Sequence, residues 1–207
     1  MANVKITDLT AASTPLAGTE LFETVQGGSS KKVAAADIGN SATAVPFLSL
    51  AGRAYISANS TTDQTGDVAA ATAVKIENTI TSPTVGITIA NDGSGNPTRI
   101  TFAAAGTYML APSLQFKNTD TDDHDATFWF RKNGTDIANS ASIVNIPKAA
   151  DGGAMFAQIV FYETVTAGQY IEIMWLPEDI LVTLDFLAAG AIAPAIPSVI
   201  LVAERIA

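Results

Sequence analysis

The chain has 207 residues, no cysteine, 48% apolar and 15% charged residues, and a formal net charge of −9. That balance excludes a disordered chain, a disulfide scaffold and a thiolate metal centre, and an acidic surface disfavours a nucleic-acid partner. Ala, Thr, Ser, Gly, Val and Ile outweigh Leu, Glu and Lys, which favours strands over helices. The opening Met1–Ile6 lacks the apolar run of a secretory signal. The most apolar region, Ile180–Val202, is cut by Asp185, Gly190, Pro194 and Pro197, which argues against a membrane span.

Residues 1–43 have a character of their own. Val4–Leu9 alternates briefly, Ala11–Gly18 reads as a loop, and Thr19–Val25 is a strand candidate followed by a turn at Gly27-Gly28. Lys31–Val33 is a second short strand, and Ala34–Ile38 forms one helical turn that Gly39-Asn40 stops. The large apolar side chains are few: Ile6, Leu9, Leu16, Leu21, Phe22 and Ile38 are the main ones. Burying one such side chain is worth about 1.5–3 kcal/mol, against about 1–2 kcal/mol of backbone entropy for every residue ordered. The segment is therefore expected to dock on something larger, with Ile6, Leu9, Leu21, Phe22 and Ile38 as its attachment residues.

From Ala44 the pattern changes to short strands at regular spacing. Phe47–Leu50 and Arg53–Ser57 come first, and Thr72–Glu77 alternates, with Val74 and Ile76 on one face. Gly86–Ala90 and Thr98–Phe102 flank the turn-rich Asn91–Pro97 and read as a hairpin. Thr107–Lys117 is a long strand with Tyr108, Leu110, Leu114 and Phe116 on one face; Pro112 within it predicts an edge or a bulge. Thr127–Lys132 and Thr135–Ala138 flank Asn133-Gly134, the strongest hairpin signal in the chain. Lys132, beside that turn, is expected to be exposed and dispensable.

Three apolar runs follow: Met155–Tyr162, Gly168–Trp175 and Pro197–Ile206, with Leu181–Phe186 between the last two. None has a clean polar face. In Gly168–Trp175 the residues Tyr170, Glu172 and Met174 point one way and Ile171, Ile173 and Trp175 the other. Strands of this kind need cover on both sides. One side is the core of a sandwich; with no helix to supply the second, the expected cover is another copy of the chain. Tyr108, Phe116, Phe156, Phe161, Val199 and Leu201 are the residues expected in the core or in that interface. Around ten strands, turns at every join and no helix spell an all-β sandwich over residues 44–207.

Two resemblances bear on this reading. Ile6-Thr-Asp-Leu-Thr-Ala-Ala12, Leu16-Ala-Gly-Thr-Glu-Leu21, Val25-Gln-Gly-Gly28, Lys31-Lys-Val33 and Asp37-Ile38, in that order and spacing, resemble the N-terminal attachment segment of tailed-phage fibre, spike and decoration proteins. Phe102 with Gly106-Thr-Tyr108, Arg131-Lys-Asn-Gly134 and Ala167-Gly-Gln-Tyr-Ile-Glu-Ile173 resemble the C1q/TNF-like jelly roll. Gln169 stands where that family has an acid, and Pro194–Val202 replaces its usual aromatic-Gly final strand, so the likeness is to a phage branch of the fold. The resemblance implies a ten-strand jelly roll that forms compact homotrimers. The departures leave animal-type receptor roles without support.

Candidate chemistry is thin. His124, the single histidine, sits in the polar loop Asn118–Asp125, not in a buried pocket, and no Gly-x-Ser-x-Gly elbow exists. Asp120, Asp122, Asp123 and Asp125 offer oxygen ligands for a cation such as Ca²⁺, but the EF-hand pattern with its Gly and closing Glu is absent. Glu178-Asp179, or Glu163 with Glu172, would be the carboxylates of a glycosidase, and nothing sets their separation. Among Phe128, Trp129, Phe130, Phe161, Tyr162 and Trp175, core and interface are the simple roles, with a sugar-binding surface for one or two as the other.

The sequence thus reads as a non-enzymatic, cofactor-free homotrimer on the surface of a tailed-phage virion. Residues 1–43 would attach it to other capsid or tail proteins, and the jelly roll would decorate or reinforce the particle as a cement protein or short fibre. The alternative is a fibre tip that recognises a host surface glycan or protein. No nucleic-acid or membrane partner is expected.

Overall fold

A computed structural model describes residues 21–26, 29–34, 54–80 and 86–207, the first two of these ranges by their backbone. The chain divides into two compact units, Met1–Gly52 and Arg53–Ala207. The boundary expected at 43/44, the strand expected at Phe47–Leu50, and Ile6, Leu9, Leu16 and Ile38 lie outside the described residues. In the first unit β1 (Leu21–Gln26) pairs antiparallel with β2 (Ser29–Ala34), Gln26 opposite Ser29. The Thr19–Val25 and Lys31–Val33 signals thus become the two arms of one hairpin, which carries Leu21 and Phe22.

Among its described residues the second unit holds fifteen strands and one 3₁₀ turn at Ala149–Asp151. They are β3 (Tyr55–Ser60), β4 (Gln64–Thr65), β5 (Thr72–Ala73), β6 (Asn78–Thr79), β7 (Ile87–Asn91), β8 (Pro97–Phe102), β9 (Gly106–Asn118) and β10 (His124–Lys132). There follow β11 (Thr135–Asp136), β12 (Ser142–Ile146), β13 (Ala154–Gln158), β14 (Phe161–Val165), β15 (Tyr170–Pro177), β16 (Val182–Leu184) and β17 (Val199–Arg205). Among the described residues no helix is long and apolar enough to cross a membrane.

These strands form two sheets. The first contains β3–β17–β9, with β13 and β14 on the far edge of β9; the second runs β7–β8–β15–β10–β12. The chain passes from the first sheet (β3) to the second (β7, β8), back (β9), across (β10, β12), back (β13, β14), across (β15) and back (β16, β17). All these strand pairs are antiparallel. This alternation between two sheets is the winding of a jelly roll, so the all-β sandwich expected from the sequence is the fold.

Between the sheets lies one apolar core. Its largest members are Trp175, Tyr108, Phe102, Phe116 and Phe130, all fully buried. Phe102 and Tyr108 pack with ring centroids 4.4 Å apart, and Phe116 contacts Trp175 at 6.0 Å. The Tyr108 hydroxyl donates to the Ala104 carbonyl at 2.9 Å, so its polar end is satisfied at the core's edge. Val74 and Ile76 are buried, as their alternation predicts. Their segment is held by Gln64, whose amide donates to the Lys75 carbonyl (2.9 Å) and accepts from the Lys75 N–H (2.8 Å), taking the place of a neighbouring strand.

Two expectations need correction. Pro112 sits neither on an edge nor at a bulge: β9 is paired along both sides, and Pro112 is buried opposite Leu201. Its missing N–H belongs to the side facing Ile159, where Ile159 donates to the Pro112 carbonyl (3.4 Å) and receives nothing back. The partner strand is interrupted there, so the single run expected over Met155–Tyr162 becomes β13 and β14. The second correction concerns β15. Ile171 to Trp175 are all buried within one chain, including the outward Glu172 and Met174. The Thr98 hydroxyl donates to the Glu172 carboxylate at 2.9 Å, Arg99 pairs with it at 3.7 Å, and the Arg99 guanidinium lies over the Tyr170 ring at 4.4 Å. The far side of this strand therefore needs no second copy.

Asn133-Gly134 makes the expected turn. Both residues have positive φ (48° and 81°), as a type I′ hairpin requires. Lys132, by contrast, is not idle: its ammonium binds the Glu163 carboxylate and donates to the Thr164 carbonyl at 3.2 Å, tying β10 to β14 across the sandwich.

Candidate functional site

The surface that stands out is the outer face of the first sheet. Directly paired residues in an antiparallel sheet share a face. Tyr162, Met109, Glu204 and Tyr55 form one such row across β14, β9, β17 and β3. Ala111, Val202 and Ser57 form the next, then Gln158, Ser113, Ile200 and Asn59, and then Phe156 with Gln115. The burial of β17 alternates strictly: Val199, Leu201 and Ala203 are in the core, and Ile200 and Val202 are exposed. Tyr162 and Phe156 are each 56% exposed. On this outward face Tyr55, Phe156, Tyr162, Ile200 and Val202 are exposed, interspersed with the polar Ser57, Asn59, Ser113, Gln115, Gln158 and Glu204, and a group of large exposed apolar side chains marks a contact surface. At one end of it, Tyr55, Ser57, Val202, Glu204 and Arg205 line a cleft of about 520 Å³.

The same sheet carries an interruption. Along one edge of β9, β16 pairs with residues 116–118 and β17 with residues 108–114, both antiparallel to it. Between them the Asp185 N–H donates to the Gln115 carbonyl (2.8 Å), and the Gln115 N–H donates to the Ser198 carbonyl (2.9 Å). Asp185 and Ser198 thus face one residue, and residues 186–197 leave the sheet and return to the point they left. Leu187 and Ile196 bond each other in both directions (3.0 and 2.8 Å), so the excursion is itself a narrow hairpin.

The acidic loop places its groups differently from a four-aspartate cluster. Buried Asn118 builds it, donating to the carbonyls of Asp122 (2.8 Å) and Ile146 (3.3 Å) and accepting from the Asp120 N–H (2.8 Å). His124 Nε2 meets the Asp120 carboxylate at 2.8 Å, and His124 Nδ1 lies 3.8 Å from Glu178. Asp120, His124 and Asp179 bring their ligand atoms within 4.8 Å of one another. The Asp123 carboxylate instead accepts from the Lys148 N–H (2.8 Å), and that of Asp125 from Asn145 (2.9 Å). Of the four aspartates, only Asp120 joins the grouping; His124 and Asp179 complete it. The hydrogen bond to Asp120 holds the His124 imidazolium above its usual pKa, and the same bond holds the Asp120 carboxyl below its own.

Tyr108, Phe116, Val199 and Leu201 are core. Phe161 is half-buried and stacked on Phe130 at 4.7 Å, and Phe156 lies on the uncovered face. Glu163 and Glu172 lie in different sheets, each held by its own cation. Glu178 accepts the Asp125 N–H at 2.8 Å. The sequence suggests Asp179 only as a glycosidase carboxylate beside Glu178, and Asn118 and Gln64 carry no signal of their own: an isolated polar residue shows its partners only once distant strands meet.

No family model and no curated protein matches the chain. Among solved structures, a crystal structure of murine APRIL at pH 8.5 aligns with a TM-score of 0.47 and 10% identity, covering 74% of this chain and 99% of that one. A second murine APRIL structure, at pH 8.0, aligns with a TM-score of 0.46, 10% identity and the same coverage. At that level of likeness the strand order of this chain, not the neighbour, establishes its fold, and nothing about binding is carried across.

Proposed function

We propose that the protein is a non-enzymatic, homotrimeric structural component of a tailed-phage virion, attached through residues 1–43 and exposing its jelly roll as a decoration protein or short fibre. The observation that supports assembly is the group of exposed apolar side chains Tyr55, Phe156, Tyr162, Ile200 and Val202 on the outer face of the first sheet. Obligate interfaces commonly bury more than about 2,000 Å², which an assembly through this face would have to reach. The virion role is supported by the order and spacing of the attachment-like pieces between Ile6 and Ile38. Deleting residues 1–43 is expected to leave a soluble, folded trimer by sedimentation that no longer incorporates into particles. A full-length chain that sediments as a folded monomer at micromolar concentration overturns the trimer. Truncated protein bound to particles at normal occupancy overturns the assignment of attachment to that segment.

A further inference from the structure

We infer that the excursion over residues 186–197 is a contact arm between protomers, leaving the outer face of one copy and packing against the next copy of this chain. The inference rests on the trimeric reading above.

The stem of the arm is firmly held. Phe186 N–H donates to the Asp63 carboxylate at 2.7 Å, and the Ser198 hydroxyl donates to the Thr62 carbonyl at 2.7 Å, in addition to the two bonds with Gln115. Those partners also set its direction. β9 occupies one flank, Thr62 and Asp63 the other, and the inner side is filled by the core, so the arm can leave the sheet only through its outer face. That is the face carrying Ile200 and Val202, two and four residues beyond Ser198 in the same strand.

The chemistry of the arm is as one-sided as its anchoring is firm. From Leu187 to Pro197 no side chain carries a charge or a hydrogen-bonding group. Leu187 and Ile196 are exposed, and Ile192 at the tip is 102% exposed, as open as a side chain can be. Solvated turns are built from Gly, Asn, Asp and Ser; an anchored loop of Ala, Ile, Leu and Pro is a surface made to be covered. A second copy fits this need. Its own outer face carries the exposed Tyr55, Phe156, Tyr162, Ile200 and Val202, continuous with the base of the arm, and an uncharged arm meets no repulsion from a chain of net charge −9. The same negative charge disfavours an anionic lipid surface. In a closed ring each copy donates one arm and receives one.

The arm is separable from the fold. Without residues 187–196, Phe186 and Pro197 would close the excursion as a short turn between Asp185 and Ser198, and none of the removed side chains belongs to the core. The test is sedimentation of the full-length chain against a form in which Phe186 is joined to Pro197, with Ile192→Asp as a second variant. The shortened chain should keep its circular dichroism, and in both variants trimer dissociation should begin at a concentration at least about tenfold higher. Because the chain has no cysteine, Ile192→Cys can be labelled with a polarity-sensitive dye, whose emission should shift to the blue as trimer forms. Unchanged assembly of the folded variants, or a dye that reports water in the trimer, overturns the inference and leaves the trimer intact. A monomeric full-length chain overturns both. Binding of full-length protein, but not of the Ile192→Asp form, to phosphatidylcholine vesicles overturns the assignment of the partner to a second copy.

Discussion

Strands β15 and β17 look alike as sequence and end in opposite situations. Each is an apolar run without a polar face. In β15 the outward side is closed inside the chain: Glu172 is held by Thr98 and Arg99, and Met174 is buried. In β17 the outward Ile200 and Val202 stay open, beside Tyr162 and Tyr55 on neighbouring strands. The difference lies in what neighbouring strands place alongside. β15 is flanked by β10, β8 and β5, and Arg99 of β8 reaches Glu172 and the Tyr170 ring; β17 is flanked by β3 and β9, whose residues directly beside Ile200 and Val202, namely Asn59, Ser113, Ser57 and Ala111, are short. Apolarity on both faces therefore announces a need for cover, not its source.

Substitutions on the two strands should separate these situations. Trp175→Ala, in the core side of β15, removes a fully buried ring and should cost about 3–5 kcal/mol of folding stability in a denaturant melt; a cost near zero would mean that the core is not where the strand order puts it. Ile200→Asp should leave the fold intact by circular dichroism but weaken assembly by about 3 kcal/mol, because an unpaired carboxylate would be enclosed between copies. A trimer that tolerates it would place the interface elsewhere.

Smaller effects test the hairpin and the acidic loop that flank the sheets. Gly134 has φ +81° with nothing near a would-be Cβ, so Gly134→Val meets backbone strain alone and should cost about 1–3 kcal/mol. Stability equal to wild type would mean the turn takes another form. The least effect belongs to His124. Its pKa is raised in the folded state by Asp120, with Asp179 and Glu178 adding to the attraction. The stabilisation it contributes is fully present below the unfolded value of 6.5 and fades as pH rises through the higher folded one. Asp120 behaves in the opposite sense: its share is present above 3.8 and lost as pH falls through its depressed value. Melting temperatures recorded from pH 3 to 9 should show both declines, and Asp120→Asn should flatten them; identical profiles would mean the pair contributes nothing.

Much of the fold is legible in the amino-acid sequence alone. Alternation puts Tyr108, Leu110, Leu114 and Phe116 on one face of β9, and all four are core. Asn133-Gly134 marks its own turn, because positive φ at two adjacent residues restricts the choice to few side chains. Such signals are local: a strand's period and a turn's backbone angles are properties of neighbouring residues. Encounters between distant segments are not local, and only the tertiary structure decides them. Pro112 has the sequence signature of an edge, yet β9 lies between two strands, and the gap it leaves is absorbed by a break in the partner. His124 meets Asp179 from a distant loop, whereas Asp122, Asp123 and Asp125 beside it in sequence stay out of the grouping. The stretch 186–197 reads as the Gly- and Pro-broken middle of the apolar region Ile180–Val202, and only the bonding of its flanking residues Asp185 and Ser198 to Gln115 reveals an arm. Strand order in a sandwich is decided by which apolar faces close against each other, and that balance is struck over the whole chain at once.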